Sequence, residues 1–260
     1  MDALWTWIAD ADPWLTGAML GALMAAGWYA GWRWGRRGRA RGAAQVTESK
    51  LGDASLAILG LLLAFTFSMA LNKYDRRRDA LVSDANAISD LYTCASLIPE
   101  PQGGKLRALV RDSTRLRVEI GNTASPTNEE IRQALGRFDA MVVRMTDLVR
   151  ESIANGTPIA GPLTLALNEV QSAQATRLAA IRDRLPSGTM LLLAVAACLT
   201  SALVGREQAS SKNPSLAGTG AFIIIVSLTV CVTVDLNHPT RGVIRTSQEP
   251  MERLLQSMKP

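Results

Sequence analysis

Charge is almost absent from four stretches of the chain: Trp14 to Trp32, Ala54 to Leu71, Met190 to Val204 and Ala221 to Val234. Each approaches the roughly 20 residues with which an α-helix crosses the hydrocarbon core. The third lies within 21 uncharged residues between Arg184 and Arg206. The pattern therefore predicts four membrane helices. At Lys73 it changes within one turn, because Arg76, Arg77, Arg78, Asp79, Asp84 and Asp90 now interrupt the apolar residues, yet no proline occurs before Pro99. Tyr74, Leu81, Ile88 and Ala95 recur every seven residues, with Leu91 and Ile98 between them, as on a helix that packs against other helices. One helix half in lipid and half in water follows.

Three further stripes have helical spacing. Leu106, Leu109, Val110, Ser113, Leu116 and Ile120 form the first, after a turn at Pro99, Pro101, Gly103 and Gly104. Ile131, Leu135, Phe138, Val142, Met145, Val149 and Ile153 form the second, opened either by Ser125 and Pro126 or by a capping box from Thr127 to Glu130. Gly156, Pro158, Gly161 and Pro162 close it, and Leu163, Leu167, Val170, Gln174, Leu178, Ile181 and Leu185 form the third. The predicted fold is all-α: a four-helix transmembrane domain with a soluble antiparallel helical bundle continuous with transmembrane helix 2 and leading into helix 3. Residues 1–72 hold an N-terminal surface segment and helices 1 and 2, and residues 73–186 the bundle. Residues 187–236 hold helices 3 and 4, and residues 237–260 a C-terminal tail with a short helix.

Composition narrows the chemistry. One histidine, His238, and three cysteines, Cys94, Cys198 and Cys231, are too few for zinc clusters, haem pairs or a disulfide framework, so no cofactor and no metal is expected. Cys198 and Cys231 sit in apolar runs as small hydrophobes. No nucleophile elbow, P-loop or Rossmann glycine pattern occurs, which leaves catalysis without a basis and makes an enzyme unexpected. The net charge of +5 does not point to nucleic acid, since the segment from Lys73 to Arg184 carries 16 Lys and Arg against 14 Asp and Glu. Instead Arg33, Arg36, Arg37, Arg39 and Arg41 crowd after the first apolar run, where such clusters set orientation, and Gly35 to Lys50 reads as a connecting loop. By that rule the loops are cytoplasmic and the bundle external, although Lys73, Arg76, Arg77 and Arg78 pull the other way. Gly17 and Gly21, and again Gly27 and Gly31, have the spacing of a close helix-packing or oligomer face, or of the glycine enrichment common in membrane helices.

LGLLLAFTFSMA (59–70), the basic cluster Arg76 to Asp79, DANAISDLY (84–92) and LIPEP (97–101) together resemble the bacterial family of bestrophin-like membrane proteins. DLNHPTRGVIR (235–245) and QEP (248–250) are similar to the same family's pattern. Asp84, Asn237 and His238 depart from it, standing where the family tends to have glutamate, an acid and an arginine. At the level of fold the resemblance implies a homo-oligomeric channel with its bundle in the cytoplasm.

Several residues are candidates for function. Thr66 and Ser68 interrupt the apolar run of the second span, as pore-lining hydroxyls or as hydroxyls bonded back to their own helix. Arg77 and Asp84 share the phase of Leu91 and Ile98, which turns both charges inward. Arg77 with Arg76 or Arg78 then forms either an anion-attracting ring at a pore mouth or a structural ion pair. Asp84, Asn86 and Asn168 are expected to cluster inside the bundle, and Asp235 to bond the amides of the next turn or to pair with Arg241. His238 is the only side chain that ordinarily titrates near neutrality. Two functions compete: an oligomeric anion channel or transport-related protein in the bacterial inner membrane, and a membrane-anchored sensor or scaffold whose bundle binds a ligand or partner. The expected partners are the lipid bilayer, further copies of the chain and small anions, and not nucleic acid. A channel requires a rotational assembly, whereas a sensor requires a pocket in the bundle.

Overall fold

The structure, a computed structural model, describes residues 12–40, 50–123, 127–209, 211, 215–238 and 242–258. All regular structure among these residues is α-helical. The helices are α1 (Pro13–Ala40), α2 (Lys50–Ser96), α3 (Gln102–Asn122), α4 (Asn128–Ala154), α5 (Ala160–Arg182), α6 (Ser187–Gln208), α7 (Leu216–Asn237) and α8 (Glu249–Ser257). The N-terminal surface segment expected before Asp12 and most of the loop expected between Gly35 and Lys50 lie outside the described residues. Where that loop is described it is helix, because α1 continues through Arg33, Arg36 and Arg37 to Ala40. No proline stops it, and alanine and arginine are strong helix formers. The guanidinium of Arg36 also lies over the Trp32 ring, 4.7 Å from its centroid.

The chain divides into two compact units. The first comprises α1, the part of α2 before Lys73, α6, α7 and residues 242–244. Its core gathers Leu20, Met24, Leu59, Leu193, Val226 and Val230. Helical segments within 51–96, 160–208 and 216–237 are long and apolar enough to cross a membrane, and only 17%, 28% and 33% of their most apolar windows is buried. So much outward apolar surface is what a helix bundle presents to lipid rather than to water. The first helix falls outside this set because glycine, tryptophan and tyrosine dilute its hydropathy.

Glycine decides how α1 packs. A Cβ at Gly17 or Gly21 would press on Ser227 or Cys231 of α7, and one at Gly27 on the Cys198 carbonyl of α6. At Gly31 it would sit on the carbonyl oxygen of Ala202. The GxxxG spacing is therefore a packing face within one chain.

The second unit comprises α2 from Lys73 onward, α3, α4, α5 and α8. Its core is built from the predicted stripes: Leu81, Ile88 and Leu91 of α2 are buried, as are Leu106 and Val110 of α3, Met145 and Val149 of α4, and Leu163, Leu167 and Val170 of α5. Two boundaries differ from expectation. Gly103 and Gly104 lie in the first turn of α3 rather than in the preceding turn, and a Cβ on Gly103 would collide with the Ile98 carbonyl. Gly161 and Pro162 open α5 instead of closing α4, since a first helical turn has no use for the missing proline N–H. Of the two proposed starts for α4, Ser125 and Pro126 lie outside the described residues and the capping box is formed: Thr127 accepts from the Glu130 amide, and the Glu130 carboxylate accepts from the Thr127 amide. Those bonds hold the Glu130 carboxyl below its ordinary range. Thr127→Ala should lower the stability of this unit by about 1 kcal/mol, read as a shift in the thermal unfolding midpoint of the purified protein.

The tail is not a separate appendage. Met251 and Met258 on and after α8 are buried in the core of the second unit, and the Asn122 amide donates to Glu252. The helix pattern α2 carries is likewise unbroken, with no irregular residue between Leu71 and Arg78.

Candidate anion-binding site in the helical bundle

Three helices of the second unit each turn one ionised side chain toward the same place. Asp84 on α2 is fully buried, and its Oδ2 accepts from Arg117 Nε of α3 at 3.1 Å and from Arg177 Nη1 of α5 at 3.0 Å. The arginines are 5% and 12% exposed, so a single carboxylate faces two guanidinium groups shielded from water. Such a cluster carries one positive charge in excess.

Local helix chemistry holds Arg117 in position. The Ser113 and Thr114 hydroxyls donate to the Val110 carbonyl, and Arg117 Nη1 donates to the Ser113 carbonyl one turn back. Its guanidinium lies 4.1 Å from the centroid of the Phe138 ring on α4. Burial pushes the Arg117 pKa down to about 10, with Asp84 opposing that fall and Arg177 adding to it. The group is still a cation at neutral pH. Arg177 reaches further, donating from Nη2 to Gln248 Oε1 just before α8.

Beside this cluster lies a cavity of about 180 Å³, open on one side. Leu81, Leu116, Ile120, Leu135, Leu178 and Ile181 give it apolar walls. Arg77, Arg117, Arg177, Gln174 and Gln248 supply its polar ones, and Arg245 and Thr246 lie at the C-terminal side. Among the described residues, Arg117 Nη2, Gln174 Oε1 and Asp84 Oδ1 are buried without a hydrogen-bond partner.

A bestrophin-like domain is matched over residues 41–251, which takes in α2 to α7 and every residue that lines the cavity. The chain belongs to the bestrophin-like family. With three apolar helical segments among the described residues, this bestrophin-like chain has the character of a membrane protein. No curated protein and no solved structure matches it.

The residues singled out from the sequence are distributed as follows in the bestrophin-like structure. Arg77 and Asp84 both face inward, as their shared phase required, and Arg77 donates from Nε to the Lys73 carbonyl. Arg76 and Arg78 are exposed, so the three adjacent arginines do not share a face. The cluster expected from Asp84, Asn86 and Asn168 does not form: Asn86 and Asn168 are exposed, because each lies off the apolar stripe of its helix. Asp84 finds arginines instead. Thr66 donates to the Leu62 carbonyl of its own helix at 2.7 Å, and Ser68 is exposed. Asp235 accepts from the amides of Val243 and Ile244, and Gly242, at φ +107°, has no room for a Cβ beside it. Arg241 lies outside the described residues. Among the described residues no cluster of His, Cys, Asp and Glu has the make-up of a metal site.

Arg117, Arg177 and Gln248 were not picked out from the sequence. The signal existed for two of them, since Arg117 falls one turn after Ser113 on the α3 stripe and Arg177 beside Gln174 and Leu178 on the α5 stripe. Charges on the apolar faces of two helices, with an acid on the apolar face of a third, mark a buried ion cluster.

Proposed function

We propose that this bestrophin-like protein is a non-enzymatic, multi-pass receptor of the bacterial inner membrane whose helical bundle binds a small anion. The cavity carries this reading: Arg77, Arg117, Arg177 and Arg245 line it, and the acid that Arg117 and Arg177 share is the single carboxylate of Asp84. Residues 13–40, 50–72, 187–208 and 216–237 form the proposed four-helix membrane domain, with the glycine face of α1 taking the place of high hydropathy in holding α1 to α6 and α7. Ligand binding against α2, whose helix runs unbroken from Lys50 to Ser96, then alters the membrane part through that one element. Hydrogen exchange on the protein in nanodiscs tests this. A panel of small organic and inorganic anions should slow exchange in residues 73–96 and change it in residues 54–72; no response in either segment to any anion removes the receptor reading.

The second reading is a homo-oligomeric anion channel. It is favoured by the family and by the exposure of Arg76 and Arg78 directly beyond the apolar half of α2. Its test is subunit number in detergent together with chloride efflux from reconstituted vesicles. A rotational oligomer whose efflux falls in an Arg76→Ala, Arg78→Ala double variant supports a pore mouth there, and a monomer without efflux removes it.

A further inference from the structure

The wall of the bundle cavity and its place along the chain specify the anion more closely, on the reading above that the cavity binds one. We infer that the occupant is an anionic acyl lipid, a fatty acid or an anionic phospholipid, with its head at the arginines and the first part of its chain on the apolar wall.

The wall carries charge of one sign. Arg77, Arg117, Arg177 and Arg245 line the cavity, and no Asp or Glu does. Asp84, which Arg117 and Arg177 share, is fully buried and forms no part of the wall. Gln174, Gln248, Thr123 and Thr246 complete the polar lining, a set that suits a carboxylate and a phosphate alike. The rest is apolar: Leu81 comes from α2, Leu116 and Ile120 from α3, Leu135 from α4, and Leu178 and Ile181 from α5. A compact hydrophilic anion leaves that surface uncovered, whereas each CH₂ buried on it strengthens binding about fourfold. At about 180 Å³ the space is too small for a whole phospholipid, so the remainder of the chain leaves by the open side.

Chain position brings the cavity to a source of such lipids. The long run of the second unit begins at Lys73 and ends at Asp183, and an ion pair between these two side chains fixes both points together. Arg77 and Leu81 follow Lys73, and Leu178 and Ile181 precede Asp183, each within about two helical turns. Arg245 and Thr246 stand where the chain re-enters the unit after Ile244. The chain leading to Lys73 is the apolar stretch from Ala54 to Leu71, and the chain leaving Asp183 runs into the apolar stretch from Met190 to Val204. By chain position the cavity therefore lies at the end of the bundle next to the membrane, where a basic pocket meets anionic lipid heads.

Native mass spectrometry of the intact protein released from detergent tests the assignment, with palmitate, phosphatidylglycerol, phosphatidylethanolamine and glycerol phosphate as probes. The protein should retain one copy of palmitate or phosphatidylglycerol, roughly tenfold more tightly than zwitterionic phosphatidylethanolamine, and the more tightly held of the two anions identifies the source. Glycerol phosphate, a phospholipid head without chains, should fail to displace it even in tenfold excess. Ala134→Phe fills the cavity from α4 and should weaken retention about tenfold while the unfolding midpoint holds. Arg245→Gln alters an exposed side chain, which keeps the fold intact, and should weaken retention about three- to fivefold. Arg137→Gln makes the same change on the exposed side of α4 outside the cavity and should leave retention as it was. Unchanged retention in both Ala134→Phe and Arg245→Gln overturns the assignment, as does equal retention of phosphatidylethanolamine. Displacement by glycerol phosphate overturns the need for a chain while leaving a receptor for anions. Retention of neither palmitate nor phosphatidylglycerol overturns the lipid class, and the hydrogen-exchange response to small anions then decides the receptor reading by itself.

Discussion

Asp84→Asn should destabilise the bundle by about 3–5 kcal/mol, the usual consequence of removing one partner from a buried ion cluster. The substitution preserves shape and removes only charge. Arg117 and Arg177 would then be two buried cations with no carboxylate between them, since the same Oδ2 atom serves both. Thermal or denaturant unfolding of the purified protein reads the loss. A companion variant separates charge from packing: Asp84→Leu combined with Arg117→Met and Arg177→Met replaces the cluster by apolar side chains, and should recover most of the stability because no ion remains to desolvate. A wild-type midpoint for Asp84→Asn alone would mean that the cluster is wet and its carboxylate dispensable.

Gly31→Leu should do comparable damage to the other unit. Adding volume to a packed contact costs roughly 1–3 kcal/mol where side chains can yield, but at Gly31 the atom in the way is the backbone oxygen of Ala202. A carbonyl engaged in its own helix has little freedom, so α1 would have to leave α6. Gly205 makes the reciprocal approach, its Cβ position lying on the Trp28 carbonyl. Gly60→Leu is the internal comparison, because nothing lies within 4 Å of a Cβ there. The expected result is loss of folded, monodisperse protein on extraction for Gly31→Leu and near-normal recovery for Gly60→Leu. Equal recovery of the two would show that the α1 contact is dispensable.

The helices were readable because each carries its own periodic signal. Ile131 to Val149 repeats every three or four residues and lies behind a capping box, so α4 can be drawn from some two dozen neighbouring positions. The failures have a common physical origin. Gly103 and Gly161 look like breaks, yet a helix tolerates glycine where a neighbouring backbone comes close or a new helix begins. Asn86 and Asn168 look like natural polar partners for Asp84, but a helix assigns direction by phase rather than by chemical affinity, and theirs is outward.

By itself the sequence determined that this protein is helical, which stretches suit lipid, that one helix passes from apolar to polar character without interruption, and that Arg77 and Asp84 turn inward. All of these are local properties, set by spacing within a turn or two. Only the tertiary structure decided what meets Asp84, because its partners lie 33 and 93 residues away on two other helices. It likewise brought Gln248 to the cavity and the terminal helix to the core of the second unit, and set the glycines of α1 against α6 and α7. Contacts of that range depend on how whole helices dock, which no single helix encodes.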